Sequence, residues 1–122
     1  MEGYIDLYIL PLPKKNLNAY RKIASQFGKI IADLGALEYR EFLGDDLKPK
    51  WATPFPSKIR LKPGEVLISS VVGFRSKKHR DQVNKKMMND PRMKKLMAQS
   101  EKNPLMDMRL MCYGGFSTIV KM

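Results

Sequence analysis

The segment from 76 to 97, SKKHRDQVNKKMMNDPRMKKLM, constrains the fold most strongly because it contains the clearest helix start and stop signals in the chain. Ser76 can cap a first helix, since its hydroxyl can accept a hydrogen bond from an unpaired first-turn N–H. Asp90-Pro91 should end that helix near residue 89 and begin another, with Asp as N-cap and Pro at the first helical position. The segment therefore predicts two helices in series.

The same region holds most of the excess charge. Residues 75 to 95 contain nine Lys or Arg and two Asp, which gives +7 of the chain's net +11. One interpretation is a solvated helix face, because Lys78 and Lys85 lie opposite the apolar stripe. The other is a surface for an anionic partner such as RNA, although no aromatic residue separates the lysines as in many RNA-binding surfaces. The nucleic-acid-binding candidates are Lys77, Lys78, Lys85, Lys94 and Lys95.

The periodic patterns elsewhere predict a single α+β domain over residues 1–122. Alternating residues indicate strands, and apolar residues at three- and four-residue spacing indicate a helix. The order is β-α-β-β-α-β, which favours a ferredoxin-like antiparallel sheet with its helices on one face. The predicted elements outside the basic region are a strand at 4–10, a helix at 16–34, strands at 37–43 and 66–74, a short edge strand at 57–61, and a final strand at 108–122 that is broken or bulged at Gly114-Gly115.

One face of such a sheet would have no helix against it. We expect this bare face to carry Tyr4, Asp6, Tyr8 and Tyr113, so that large side chains favour dimerisation through the sheets. The proline-rich connection at 44–64 is long enough to be a functional lid. Its Trp51 is interpreted as a packing anchor for a lid or a dimer.

Composition excludes several kinds of site. Cys112 is the only cysteine and His79 the only histidine, so a haem or zinc centre would lack the usual number of ligands. We expect a buried, inert thiol at Cys112, a surface imidazole at His79 and a turn at Asp45-Asp46, with no cofactor and no metal. The single cysteine, the absence of a signal peptide and the lack of a membrane-length apolar run indicate a cytoplasmic protein.

Several motifs resemble those of the bacterial YbaA-like family, whose members have unknown function. They are AYRKIA at 19–24, GAL at 35–37, GDD at 44–46, SKKHRD at 76–81, NKKMMNDPRMK at 84–94 and YGGF at 113–116. The resemblance implies the dimeric α/β-barrel superfamily, in which two ferredoxin-like protomers set their sheets face to face. Proteins of that shape include small antibiotic-biosynthesis monooxygenases, haem-degrading enzymes and lactone isomerases. The resemblance implies a fold, and it does not imply a reaction.

Six polar residues lie in or beside these motifs and are the candidate ligand-binding residues. They either form an Arg–Asp network that ties the second helix to the last strand, or line a polar barrel mouth that grips an anionic or aromatic ligand. The leading hypothesis is a homodimer that binds a small molecule between sheet and helices, with a cofactor-independent monooxygenase-like reaction left open. RNA binding by the basic helices and a purely structural dimer are the alternatives. The six residues are Arg80, Asp81, Asn84, Arg92, Arg109 and Tyr113.

Overall fold

A four-stranded antiparallel sheet carries the helices on one side in the computed structural model, which describes residues 2–122. The strands lie in the order β2-β3-β1-β4, as a ferredoxin-like fold requires, so the predicted fold class is confirmed. The elements are β1 (Tyr4–Pro13), α1 (Leu17–Asp33), β2 (Glu38–Leu43), β3 (Glu65–Phe74), α2 (Lys77–Asn89), α3 (Pro91–Lys102) and β4 (Cys112–Ser117).

The helix boundaries confirm the capping signals. The Ser76 hydroxyl accepts a hydrogen bond from the backbone N–H of His79 at 3.1 Å, which caps α2. Asp90 accepts hydrogen bonds from the backbone N–H groups of Arg92 and Met93, so it caps α3 with Pro91 at the first helical position. Local sequence alone therefore determines where both helices begin.

Two strand predictions are wrong. The segment at 57–61 forms no strand, and a short 3₁₀ helix at Phe55–Ser57 precedes it instead. Pro54 and Pro56 lack an N–H and restrict the backbone, which favours such a turn over strand pairing. The final strand is shorter than 108–122, because a 3₁₀ helix at Met108–Leu110 precedes it. The Asp107 carboxylate accepts a hydrogen bond from the backbone N–H of Arg109 and so favours that turn.

The two sides of the sheet are the reverse of the prediction. Asp6 lies on the side covered by helices, where it is 1% exposed, and its alternate neighbours Tyr4 and Tyr8 pack there against the core. The residues between them, Ile5 and Leu7, therefore point to the helix-free side. A buried carboxylate is tolerated because a helix residue pairs with it, which strand alternation alone could not indicate. We call the helix-free side of the four strands the open face.

The core consists of two clusters between the sheet and the helices and one between the helices. The tyrosines of β1 join the first cluster through their rings, since a phenol is apolar over most of its surface. Met93 is 1% exposed in the cluster between helices, which attaches α3 to α1. The buried members are Ile31, Val72, Phe74 and Val83 in the first cluster, Leu10, Leu12 and Ile68 in the second, and Ile30, Met93 and Leu96 in the third.

The Gly114-Gly115 pair forms no bulge, contrary to the prediction. Pairing with β1 continues through it without interruption, with Leu7 opposite Gly114 and Asp6 opposite Gly115. A β-carbon at Gly115 would collide with the Tyr4 hydroxyl. Glycine is needed there because the Tyr4 side chain lies across the strand at that point.

His79 and Cys112 also differ from expectation. His79 is buried in the first turn of α2, where its Nδ1 accepts a hydrogen bond from the backbone N–H of Arg75 at 3.0 Å. Burial lowers the pKa of His79, and the neighbouring Arg75 charge lowers it further. Cys112 is exposed rather than buried, because β4 is an edge strand and no helix covers the open face.

Within residues 2–122, no helix has the length and apolar character needed to span a membrane.

Candidate functional site

A hydrogen-bonded cluster joins α2 to the two strands β1 and β4. The Arg80 Nη1 donates to Asp6 Oδ1 at 2.7 Å and to the Tyr113 hydroxyl at 2.6 Å. The Tyr113 hydroxyl in turn donates to the same Asp6 oxygen at 2.8 Å, and the Arg80 Nε donates to Asp81 Oδ1 at 2.8 Å. Three elements therefore fix the position of one guanidinium.

Near neutral pH, Arg80 stays charged and the Tyr113 phenol stays protonated. Burial opposes the Arg80 charge, but the hydrogen bond to Asp81 and the attraction of Asp6 outweigh it and raise the pKa of Arg80. Burial and the hydrogen bond to Asp6 raise the pKa of Tyr113, which keeps its phenol neutral. The cluster therefore combines a charged guanidinium with a neutral hydroxyl, and the guanidinium is paired with the carboxylates of Asp6 and Asp81.

Aromatic rings surround the guanidinium. Its central carbon lies 5.1 Å from the centre of the Tyr4 ring, within the range of a cation–π contact. The Tyr8 and Tyr113 rings are 4.9 Å apart at an angle of 39°. Burial, followed by the nearby Asp6 charge, raises the pKa of Tyr8 to about 12, so this phenol is also neutral.

An open groove of about 680 Å³ begins at Tyr4 and lies beside the start of α2. Tyr4 belongs both to the groove wall and to the aromatic surroundings of Arg80, so the groove and the Arg80 cluster share this one side chain. Arg80 Nη2 makes no hydrogen bond to any residue from 2 to 122, which leaves two N–H donors free. The groove is lined by Glu2, Gly3, Tyr4, Arg75, Ser76, Lys77, Gly115 and Ser117.

Three of the six predicted ligand-binding residues come together here: Arg80, Asp81 and Tyr113. Asn84 follows Arg80 by one turn of α2 and is half-buried, without a side-chain hydrogen bond in the described part of the chain. The other two lie elsewhere. Arg92 bonds to Asp33 and Asp90 at the start of α3, and Arg109 bonds to Asp107 on the surface.

Sequence reasoning missed Asp6, Tyr4 and Tyr8 as site residues, because it assigned them to the opposite side of the sheet. The signal that could have found Asp6 is Arg80, which lies at the edge of the apolar stripe of α2. A cation at such a position needs an anion on the surface that the helix packs against. Asp6 meets that need from the central strand β1.

A second set of polar side chains forms a row across the four strands, on the side that the helices cover. Glu41, Ser70, Tyr8 and Tyr113 are neighbours in register on the four strands, so a polar row crosses the whole sheet beneath the helices. The Tyr20 hydroxyl of α1 donates to Glu41 Oε1 and lies 3.5 Å from the Ser70 hydroxyl. Glu41 Oε2 is buried without a hydrogen bond within the described residues. Burial and the bond to Glu41 raise the pKa of Tyr20.

The five lysines predicted for nucleic-acid binding are all exposed on α2 and α3. None forms an ion pair with the residues that the structure describes, in contrast to Arg80 and Arg92. A shallow notch where α2 meets α3 is lined partly by Lys85 and Lys86. For metals, residues 2–122 contain no group of three or more His, Cys, Asp or Glu side chains placed to bind an ion.

A family model described as "Protein of unknown function (DUF1428)" matches residues 3–106. The chain belongs to this family. It is 32% identical over 117 residues to the uncharacterized protein YbaA of Escherichia coli K12, a match that covers 96% of this chain and 97% of that protein. YbaA of Shigella flexneri matches with the same identity and coverage. The resemblance proposed from the sequence motifs is therefore confirmed.

Two solved structures share the fold. A NIPSNAP family protein from Agrobacterium tumefaciens superposes with a TM-score of 0.64 and 15% identity, over 98% of this chain and 89% of that one. Rv0793 from Mycobacterium tuberculosis superposes with a TM-score of 0.54 and 12% identity, over 98% and 97%. At these identities the comparison supports the ferredoxin-like architecture alone.

Replacing Arg80 by Met should destabilise the protein by about 3–5 kcal/mol, because it leaves the buried Asp6 carboxylate without its cation. The double variant Asp6→Leu/Arg80→Met should lose less than the sum of the two single variants. Urea unfolding measures all three. Arg92→Met is the control, since Arg92 and its partner Asp33 are exposed and the loss of a surface ion pair should change stability little. Equal losses for Arg80→Met and Arg92→Met would contradict the buried pair.

Proposed function

We propose that the protein is a homodimer whose protomers each bind a small aromatic acid in the groove beside Arg80. One observation carries the proposal for the groove: Arg80 is held by Asp6, Asp81 and Tyr113, yet its Nη2 remains without a partner. The two N–H groups of Nη2 can donate to the oxygens of an anionic ligand. Because folding already orients this guanidinium, a ligand would not have to order it on binding.

The surroundings favour an anion with a ring. Arg75 and Lys77 add positive charge to the groove, against one carboxylate from Glu2. The Tyr4 ring supplies an apolar wall that can pack on a flat molecule, and its contact with Arg80 keeps the two groups side by side. Small-molecule sites commonly combine such apolar walls with a few placed polar groups.

The test of the groove compares two ligands of the same size. We expect 2-naphthoate to bind about tenfold more tightly than naphthalene-2-methanol, because hydrogen bonds to a charged group contribute about 1.5–3 kcal/mol. Titration calorimetry measures both affinities. Lys77→Ala and Tyr113→Phe should weaken naphthoate binding, whereas Lys94→Ala, which removes an equal charge on α3, should not.

Equal binding of the acid and the alcohol would contradict an anion site. Naphthoate binding that is unchanged in Lys77→Ala and Tyr113→Phe would place the ligand outside this groove. The expectation of a cofactor-independent monooxygenase stays a prediction, and no residue of the groove is assigned a chemical step.

The open face supports the dimer. Ile5, Leu7 and Ile9 of β1 point to this side, and Phe116 and Phe42 flank them from the edge strands with 51% and 39% exposure. Ser69, Glu38 and Arg40 share the β3 and β2 part of this face, so the apolar surface is centred on β1 and β4. Apolar side chains grouped in this way on a surface mark an interaction site. A second copy offers the same surface, so a two-fold pair would bury both faces at once.

Leu7→Asp should convert the dimer to a monomer, because Leu7 lies at the centre of the open face between Val71 and Gly114. Light scattering reports the mass of each species. Cys112, the only thiol, lies on the same face and should react slowly with a thiol reagent in the dimer and quickly in Leu7→Asp. Met88→Asp changes an equally apolar, exposed residue of α2 and should leave the dimer intact.

A monomeric wild-type protein at micromolar concentration would contradict this assembly. The same would follow from a Leu7→Asp variant that remains dimeric with a slow Cys112 thiol.

RNA binding by the basic helices remains the second candidate. The observation that favours it is the exposure of Lys77, Lys78, Lys85, Lys94 and Lys95 without acidic partners in the described chain. Because no aromatic side chain lies among these lysines, binding would be driven by phosphates and only weakly sequence-selective.

A pool of short single-stranded RNAs, titrated across a salt series, tests this candidate. The logarithm of the affinity should fall with the logarithm of salt by about 0.7 per phosphate contact. The triple variant Lys77→Ala/Lys78→Ala/Lys85→Ala should flatten the slope. An unchanged slope, or no binding near physiological salt, would contradict RNA binding by these helices.

A further inference from the structure

We propose that two exposed segments outside the sheet complete the homodimer interface, and that Trp51 of one copy packs on Ile119 and Val120 of the other. The first segment is the Trp51 loop, residues 44–64, and the second is the 118–122 arm. The proposal rests on the proposed dimer, and it assigns to the second copy the two places on the protomer where large apolar side chains are most exposed.

The exposure of these side chains is the primary observation. Trp51 is 90% exposed in the protomer, and Phe55 of the same loop is 54% exposed. In the arm, Ile119 is 83% exposed and Val120 is 69% exposed. Single exposed apolar residues are common, but two such groups beside one uncovered apolar face indicate a continuous contact surface.

The Trp51 loop begins at one end of the open face. Pro11 and Leu67 point to this face and are nevertheless buried. The Gly44 N–H donates to the Leu67 carbonyl at 2.7 Å, so the start of the loop continues the pairing of β2 with β3 at that end of the sheet. Leu47 sits beside Gly44, and four residues span at most about 14 Å, so Trp51 lies within about that distance of Leu47.

The arm begins at the opposite end. β4 ends at Ser117, and the next residue, Thr118, donates its N–H to the Gly3 carbonyl at 3.1 Å. Gly3 precedes β1, whereas Pro11 lies near the end of that strand. The loop and the arm therefore mark opposite ends of the same face, with Ile5, Leu7 and Ile9 between them.

The open face alone has too few residues for a stable dimer interface. The strands direct sixteen side chains or glycines to this side, namely three from β2, five from β3, five from β1 and three from β4. Pro11, Leu67 and Gly73 are already buried within the protomer. A stable interface uses about 20–30 residues from each partner. The face alone falls short of this number, and the two segments supply the remainder.

Charge selects the relative orientation of the two copies. The Trp51 loop has five basic and two acidic residues, a net charge of +3, whereas the 118–122 arm has only Lys121. A two-fold axis along the strands would set one loop over the other and bring two +3 segments together. An axis across the strands sets each loop over the partner's arm instead, which reduces the repulsion.

The only tryptophan of the chain reports on this contact without labelling. In the wild-type dimer we expect Trp51 emission at shorter wavelength, with weaker acrylamide quenching, than in the Leu7→Asp monomer. The double variant Ile119→Ser/Val120→Ser should shift the emission back to longer wavelength, while Met88→Ser on α2 should not. Trp51→Ala should raise the dimer dissociation constant about 30-fold, the factor that corresponds to a hot-spot residue of about 2 kcal/mol.

Each failure has a distinct meaning. A dimer with fully quenchable Trp51 would overturn the loop contact and leave the face-to-face dimer standing. If Trp51 is shielded in the wild-type dimer and its emission is the same in Ile119→Ser/Val120→Ser, the pairing of loop with arm would be overturned. Emission that shifts only on adding vesicles with anionic headgroups would assign the basic loop to a lipid surface instead. A monomeric wild-type protein would overturn both this inference and the proposed dimer.

Discussion

The ion pair between Arg80 and Asp6 is the interaction on which the arrangement of the protein depends. Asp6 is on a central strand and is almost completely buried, so its charge is tolerable only with a cation in contact. Arg80 supplies that cation from the second turn of α2, and Tyr113 joins the pair from the edge strand. This polar contact and the buried Leu10 and Leu12 together set which side of β1 faces the helices, and the contact holds α2 over the sheet.

This assignment of sides explains the character of both surfaces. Because Tyr4, Asp6 and Tyr8 turn toward the helices, polar groups run beneath α2, and Tyr4 forms part of the wall of the proposed groove. The intervening aliphatic residues of β1 turn to the open face and make its centre apolar. The polar side chains of β1 under the helices and its aliphatic side chains on the open face are two consequences of the same register. The groove and the proposed dimer are therefore linked through β1.

Prediction succeeded where the controlling interactions were local. Ser76, Asp90 and Pro91 determine the ends of α2 and α3 through contacts with backbone groups two or three residues away. It failed where partners are distant in sequence. His79 is buried because α2 packs its first turn toward Phe74, with the two rings 5.8 Å apart, and its local surroundings of lysines gave no sign of this.

By itself, the sequence determined the order of the elements, the helix caps and the family, since these depend on local periodicity, backbone chemistry and extended motifs. It also identified Arg80, Asp81 and Tyr113 as candidate ligand-binding residues. Only the tertiary structure decided which side of the sheet the helices cover. Strand alternation divides residues into two sets but cannot say which set is inside when one is aliphatic and the other contains tyrosines around a charge. That choice required a cation 74 residues away from Asp6.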